Sequence, residues 1–411
     1  MNGPWAGRRL HFVGIGGRGM SGLAVMARAA GAHVTGSERT DTERLPWVRE
    51  QGIDVHIGQD AALVPADAEV VYSTAIPEQN PERRDPELSR GELLGQLAAV
   101  RRCIAVAGSH GKTTTAAMIV HALRGAGMDP GYVVGAPLRA TGRSAEWGDG
   151  DWLVAETDES DRSLLSVRPQ IAVITAVSHE HVLTYPTRAD VDAVFAEFAA
   201  GADEVAGWQP PDARLEAGRS AFTWRGIEVE VGVPGDHNAR NAAAALEACA
   251  LTGADLASCA ASLASFPGAA RRFEHMGTTS SGAQVYDDYA CHPLEVRATL
   301  TAARTMGPRR LVAMLQPWSA VRVERMAEEF RDAMTLADSM IVTEYFSSRA
   351  TPREFAHVTA KVLVNGAENT AFATGGVAEA ERRLAEELRE GDLCVVFCPS
   401  DSGLAKRLVQ T

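Results

Sequence analysis

Residues 107–115 read AGSHGKTTT. An apolar run at 103–106 leads into them, and a helical pattern over 114–123, closed by Gly125 and Gly127, follows. Strand, glycine turn and helix N-terminus together make a cradle for phosphate, because backbone N–H groups and the helix dipole face the anion. Gly108, Ser109, His110, Gly111 and Thr114 form its wall. Lys112 adds a mobile charge that can follow terminal phosphates, and Thr113 supplies a hydroxyl for Mg²⁺. Only Lys112, Lys361 and Lys406 among the 40 basic residues are lysines. A chain this averse to lysine keeps one where a planar guanidinium would fit poorly. The segment reads as the site of a nucleoside triphosphate. Its spacing, Gly108-x-x-Gly111-Lys112-Thr113, is tighter than the common GxxxxGK[ST] loop. That counts against a plain P-loop ATPase or kinase.

Further residue groups could serve the same site. Glu156, at the end of an apolar strand over 152–156 in ETDESD, suits Mg²⁺; Asp158, Glu159 and Asp161 read as residues that fix the loop. His179 and His181 follow the strand over 171–177, and a histidine pair beside a phosphate site is a candidate metal ligand. His237, Asn238 and Asn241 of PGDHNARN either recognise a nucleobase or belong to a helix start capped by Asp236 or Asn238. A second glycine cluster, Gly14-Ile-Gly16-Gly17-Arg-Gly19, is either a ligand-free turn or a pyrophosphate site at a helix N-terminus. NAD would place its ribose on Glu38. The second phosphate loop downstream makes a nucleotide-linked substrate the better fit.

The elements that position these groups follow from periodicity. A strand over 9–14, a glycine-rich turn over 16–22 and a helix over 23–30 open the chain. Strands start at 34 and 70, and 80–90 (NPERRDPELSR) reads as a connection. Further strands fall at 227–233, 285–288, 311–315, 339–342 and 394–397. Alternating strands and helices predict α/β architecture with mostly parallel sheets, whose ligands sit at C-terminal strand ends. With 411 residues, 45% hydrophobic and 23% charged, the chain has the composition of a globular protein of several domains. A net charge of −13 argues against nucleic-acid and anionic-membrane partners. The six cysteines are scattered, Cys394-x₃-Cys398 lacks a second ligand pair, and no signal-peptide or membrane-span pattern is present. The expected setting is the cytoplasm, with monomer and homodimer both open.

GSHGKTTT, ETDESDRSLL, SHEHVLTY, PGDHNARNAAAA, RRFE and DDYACHP occur in the order found in the Mur ligases, and the resemblance covers nearly the whole chain. HFVGIGGRGMSGLA and the STAI–NP stretch, with Ser73, resemble the branch that joins UDP-N-acetylmuramate to L-alanine. The resemblance implies three domains: a Rossmann-like UDP-sugar domain over 1–97, a central ATP-binding domain over 98–267, and a Rossmann-like domain for the amine over 268–411. It implies ATP and Mg²⁺ as cofactors and a small-molecule carboxylate and amine as partners. It also implies that Lys112, Glu156 and His181 are catalytic and that Thr113, Glu156 and His181 hold metal. His237, Asn238 and Asn241 would contact adenine, Arg272 the phosphates and Asp288 the ribose. Gly14, Gly16, Gly17, Gly19, Ser73, Cys291, His292, Trp318 and Arg322 would face the other substrates.

The departures are uneven. Cys291 replaces a His of the family's DYAH, with His292 next to it. FQPHRYTR becomes LQPWSAVR, which puts Trp318 at a His and keeps Arg322. Ala176 and Leu183 replace an Asn and an Asp around the SHEH motif, and the C-terminal glycine-rich segment reads FCPSDSG. The stretch 80–90 lacks room for the usual helix and strand, and 199–227 is short for the usual insert. No lysine between Lys112 and Lys361 can carry the family's carbamate. The residues therefore fit two forms of one activity: the ligase above, or a divergent relative that joins another carboxylate, such as a nucleoside or sugar acid, to an amino compound. A non-catalytic nucleotide-binding relative is the third reading.

Overall fold

The computed structural model describes residues 3–207, 211–216, 218–347, 351, 353–400 and 403–410. They fall into two compact units. The first comprises Met1–Pro210, Trp224–Val229 and Arg240–Phe266, and the second Pro211–Thr223, Glu230–Ala239 and Pro267–Thr411.

The first unit starts with β1 (Arg9–Val13), β2 (His33–Glu38), β3 (Asp54–Ile57), β4 (Glu69–Tyr72) and β5 (Glu87–Ser89). They lie in the order β3-β2-β1-β4-β5, all parallel. The order reverses between β1 and β4, where doubly wound sheets take their ligands. Three helices accompany the sheet: α1 (Arg18–Ala29), α2 (Leu45–Glu50) and α3 (Arg90–Ala98). Two expectations are corrected here. The turn expected over 16–22 is shorter, because α1 begins at Arg18 and carries Gly19 and Gly22 inside it. Packing explains Gly22, where a Cβ would lie 3.3 Å from Val133 and 3.4 Å from Ala145 of the next sheet. The stretch 80–90 is more than a connection, since it contains β5 and ends on the first residue of α3.

Next come β6 (Arg102–Ala107), β7 (Gly131–Leu138), β8 (Arg143–Glu146), β9 (Trp152–Glu156), β10 (Ile171–Ile174) and β11 (Glu204–Val205), with α4 (Lys112–Gly125) and α5 (Arg188–Ala200). The order is β11-β10-β6-β9-β7-β8, parallel except for the β7/β8 pair. Central β6 is fully apolar inside and flanked by β9 and β10, so the loop after it lies between their C-terminal ends. One cluster of buried side chains runs from Leu10 and Leu23 through Leu93 and Cys103 to Leu153 and Phe198. The first two sheets thus share a single core. Along the chain follow β12 (Arg214–Glu216), antiparallel to β13 (Arg219–Trp224), then β14 (Ile227–Val231), α6 (Asp236–Thr252) and α7 (Leu256–Ser262). In the short stretch 199–227, residues 208–210 and 217 lie outside the described residues.

The second unit holds β15 (Glu274–Thr278), β16 (Gln284–Asp288), α8 (Pro293–Arg304), β17 (Arg310–Leu315), β18 (Ser339–Val342), β19 (Thr370–Phe372) and β20 (Asp392–Phe397). The order is β15-β16-β20-β17-β18-β19, and only the β15/β16 pair is antiparallel. Central β17 and β20 are covered on both faces, which is why LVAML and LCVVF read as unbroken apolar runs. The C-terminal ends of β16, β20 and β17 lie side by side. The six cysteines form no disulfide. Among the described residues, no helix is long and apolar enough to cross a membrane.

Candidate active site

The cradle after β6 is built so that only glycine fits its corners. Gly108 has φ +141°, and a Cβ there would stand 2.0 Å from Thr175 Oγ1. Gly111 has φ +82° and caps α4 without a side-chain hydrogen bond, which leaves the N–H groups of the first turn turned toward a ligand. The loop is stitched to the end of β10. Ser109 N and His110 N donate to Ala176 O at 2.8 and 3.2 Å, and Thr175 Oγ1 donates to His110 O at 2.6 Å. Ser178 N donates to Ser109 Oγ, while His110 Nε2 lies 2.9 Å from both Ser178 Oγ and Glu180 Oε1. Thr114 is buried in the helix behind the loop.

Lys112 folds back over this loop. Its Nζ donates to Gly108 O at 2.6 Å and to Glu159 Oε2 at 2.7 Å. Burial works to lower its pKa, but the charge and hydrogen bond of Glu159, then Glu156 and Asp158, outweigh that and raise it, so Lys112 is a cation. Thr113 Oγ1 lies 3.0 and 2.9 Å from the two carboxylate oxygens of Glu156, which also accepts from Gly135 N at 2.6 Å. A hydroxyl and a carboxylate in contact are the hard oxygen donors that Mg²⁺ takes, so these two residues fit that ion. His181, held at φ +53°, places Nε2 3.3 Å from Glu159 Oε1. His179 turns away and meets Tyr185 O at 2.9 Å, so the two histidines are not a ligand pair.

Of the residues assigned to adenine, Asn241 reaches the loop: a Cβ on Gly111 would lie 2.5 Å from its Oδ1. Asn238 closes its own turn, with Nδ2 donating to Pro234 O at 2.7 Å. The ring of His237 lies over Gly235, where a Cβ would be 2.5 Å from Cε1.

On the first sheet, Gly14 has φ +75° and donates to Ser37 O. Gly16 N donates to Glu38 Oε2 at 3.0 Å, and Arg44 Nη1 donates to Gly16 O at 3.2 Å. Glu38 therefore holds the turn itself rather than standing ready for a ribose. Gly17 caps α1 without a side-chain bond. Ser73, just past β4, accepts from Ile76 N, and the Ile76 side chain closes over Gly14. The two turns thus meet at the switch point of the sheet.

In the second unit, Asp288 is engaged inward. It accepts from Ala290 N (2.6 Å), Phe273 N (2.9 Å) and Thr299 Oγ1 (3.2 Å). Burial pushes its pKa up to about 6 against the pull of the Ala290 bond and of Arg272. Arg271 and Phe273, at φ +59° and +49°, bend the chain sharply on either side of Arg272, whose guanidinium lies 5.6 Å from the Tyr289 ring centre. His292 is buried and caps α8, with Nδ1 accepting from Leu294 N. Arg322 Nη1 lies 3.3 Å from both O and Sγ of Cys291. Trp318 stands edge-on between Tyr289 (6.1 Å) and Phe346 (5.3 Å). Ser400 N donates to Gln316 at 3.2 Å, which ties FCPSDSG to LQPW; Asp401 and Ser402 lie outside the described residues.

Three family models match in succession: "Mur ligase family, catalytic domain" over residues 9–102, "Mur ligase middle domain" over 106–207, and "Mur ligase, glutamate ligase domain" over 271–400. The chain belongs to the Mur ligase family. It is accordingly an ATP-dependent ligase that forms amide bonds. It is 35% identical to the UDP-N-acetylmuramate–L-alanine ligase of Chloroflexus aggregans, over 97% of each chain. It is 38% identical to that of Clavibacter michiganensis subsp. michiganensis, over 96% of this chain and 91% of the other. The crystal structure of UDP-N-acetylmuramate–alanine ligase from Thermotoga maritima superposes with a TM-score of 0.82 at 25% identity, over 98% of both chains.

In this Mur ligase one residue at the centre of the site escaped the sequence reading. The acidic run marks Glu159 as a residue that fixes its loop, yet it lies between Lys112 and His181 and is nearly fully buried. A signal was present. Lys112 is the sole lysine before position 361, and a buried ammonium needs an acidic partner, which the carboxylate-rich ETDESD segment supplies.

Proposed function

We propose that this Mur ligase uses ATP to activate the carboxylate of UDP-N-acetylmuramate and joins it to the amine of an amino acid. The observation that carries this reading is the contact of Lys112, Glu159 and His181, with Thr113 on Glu156, around an uncapped glycine cradle. The names of the relatives supply the substrates. The first sheet, with Gly14, Gly16, Gly17, Gly19 and Ser73, takes the UDP-sugar, and the second unit takes the amine near Arg322.

The cradle N–H groups bind the phosphates, and Lys112 leaves Glu159 to neutralise charge on the transferring phosphoryl group. Thr113 and Glu156 would hold Mg²⁺, and His181 and Glu156 would serve a second ion; bound metal would supply charge neutralisation for the phosphoryl transfer. The substrate carboxylate oxygen attacks the γ-phosphorus and ADP leaves. The amine then adds to the acyl phosphate carbonyl, loses a proton, and expels phosphate. On this reading the reaction runs in the cytoplasm, where ATP is available.

A second reading keeps the chemistry and changes the acceptor. It rests on Trp318, edge-on to Tyr289 and Phe346, and on Cys291 in contact with Arg322. Such a wall favours an amino acid larger or flatter than alanine. Release of ADP and phosphate, measured with UDP-N-acetylmuramate and a panel of amino acids, tests both. Turnover that requires both substrates supports the main reading, and a preference for bulky acceptors over L-alanine supports the second. No turnover with any pair overturns both.

A further inference from the structure

Arg90 stands between the first turn of α1 and the acidic loop that follows β9. It opens α3, whose start is fixed by a reciprocal cap: Ser89 N donates to Glu92 Oε2 at 2.7 Å and Glu92 N to Ser89 Oγ at 3.2 Å. Ser89 ends β5 and pairs with Tyr72 of β4, so Arg90 is anchored to the sheet that carries the first glycine turn. One side of its guanidinium covers the first turn of α1. A Cβ on Gly19 would lie 3.0 Å from Arg90 Nη1 and 3.1 Å from Cδ. The other side reaches the loop after β9, where Nη2 donates to Asp158 at 2.9 Å and lies 3.4 Å from Asp161.

The body of α3 is locked to the same loop. A Cβ on Gly95 would stand 2.0 Å from Ser166 O, and one on Gly91 2.5 Å from Ser163 Cβ. Helix and loop touch at backbone distance. Within that loop Glu159, the residue after Asp158, holds Lys112 and faces His181.

We propose that Arg90 is a positioning residue through which phosphate groups bound at the N-terminus of α1 order the Asp158–Asp161 loop, and with it the Lys112–Glu159–His181 cluster. The inference rests on the reading that the first sheet takes a nucleotide-linked substrate. A guanidinium has five N–H donors in a fixed fork, so a phosphate on Nη1 and Asp158 on Nη2 do not compete. Ordering of the loop by the first ligand lowers the cost of ordering it for the second, which makes the coupling positive and reciprocal.

Calorimetric titration of the full chain with AMP-PNP and Mg²⁺, with and without saturating UDP-N-acetylmuramate, reads this coupling. In the wild type the UDP-sugar tightens AMP-PNP binding by about fivefold or more. Arg90→Gln brings the factor below about twofold while AMP-PNP alone binds within about threefold of wild type, and Arg90→Lys falls between. Asp158→Asn, which breaks the other end of the contact, lowers the factor as well and serves if Arg90→Gln does not fold. An unchanged factor in these variants overturns the proposal, as does loss of AMP-PNP binding by Arg90→Gln in the absence of the sugar. A wild type that binds UDP-N-acetylmuramate without coupling overturns it too and leaves the substrate reading intact. A wild type that does not bind the sugar at all overturns both.

Discussion

Replacing Lys112 by alanine separates what this residue does for the fold from what it does for turnover. Lys112 and Glu159 are 16% and 4% exposed at their side chains and lie 2.7 Å apart. Removing one partner of a buried ion pair costs roughly 3–5 kcal/mol. Glu159 keeps His181 at 3.3 Å, so the lower end of that range applies, about 3 kcal/mol. For a unit of this size, that corresponds to a fall in Tm of roughly 6–12 °C. In a Glu159→Gln background no orphaned charge is left behind, and the same substitution should cost less than about 1 kcal/mol. Turnover responds differently. With the cation gone, ADP release in a coupled assay should fall at least about 100-fold in both backgrounds. Thermal melts and steady-state rates of the four proteins complete the cycle. Equal thermal losses in the two backgrounds would refute the pair. Activity within tenfold of wild type in Lys112→Ala would refute the phosphate role.

Gly108→Ala forces a side chain into a left-handed corner 2.0 Å from Thr175 Oγ1; it should cost about 2–5 kcal/mol in urea unfolding, and a loss under 0.5 kcal/mol would contradict the geometry. Asp288 binds its proton more tightly folded than unfolded, with a pKa near 6. Its contribution is therefore fully present below pH 4 and is lost as pH rises through 6, by at most about 3 kcal/mol. The stability of wild type relative to Asp288→Asn should fall between pH 4 and pH 7 by that amount, and a flat difference would count against the shift. Placing histidine at the two positions proposed to face the amine, Cys291→His with Trp318→His, should move the kcat/KM ratio of L-alanine to larger amino acids at least about tenfold; an unmoved ratio would show that neither residue faces the amine.

The parallel sheets were legible because their central strands are buried on both faces, so Cys103–Val106 of β6, Leu311–Leu315 of β17 and Cys394–Phe397 of β20 stand out as apolar runs. Element starts were harder. Gly19 and Gly22 have the composition of turn residues, yet they lie inside α1, where a Cβ would press on Arg90 at 3.0 Å and on Val133 at 3.3 Å, and such neighbours are invisible to local pattern. β5 escaped notice for a related reason. Three half-buried residues, Glu87–Ser89, gain their strand identity only by pairing with β4. At the site, the glycine spacing of 107–115 and the end of the apolar strand over 152–156 single out Lys112, Thr113 and Glu156, and the structure puts Thr113 in contact with Glu156. The role of Glu159 and the inward turn of Asp288 depend on side-chain direction within an acidic run, which residue type does not encode. His179 and His181 differ only in backbone conformation: φ +53° at His181 aims one ring at Glu159 while the other meets a carbonyl.

The shared core of the first two sheets makes their stability a single quantity. No polypeptide hinge separates them in packing, and a cut near residue 98 would bare Leu23, Leu93 and Leu153 at once. The two sheets should then melt together as a single block. The second unit has its own two cores, around β17 and β20. The departures from the family's motifs fall in both units, at Ala176 and Leu183 as well as at Cys291 and Trp318.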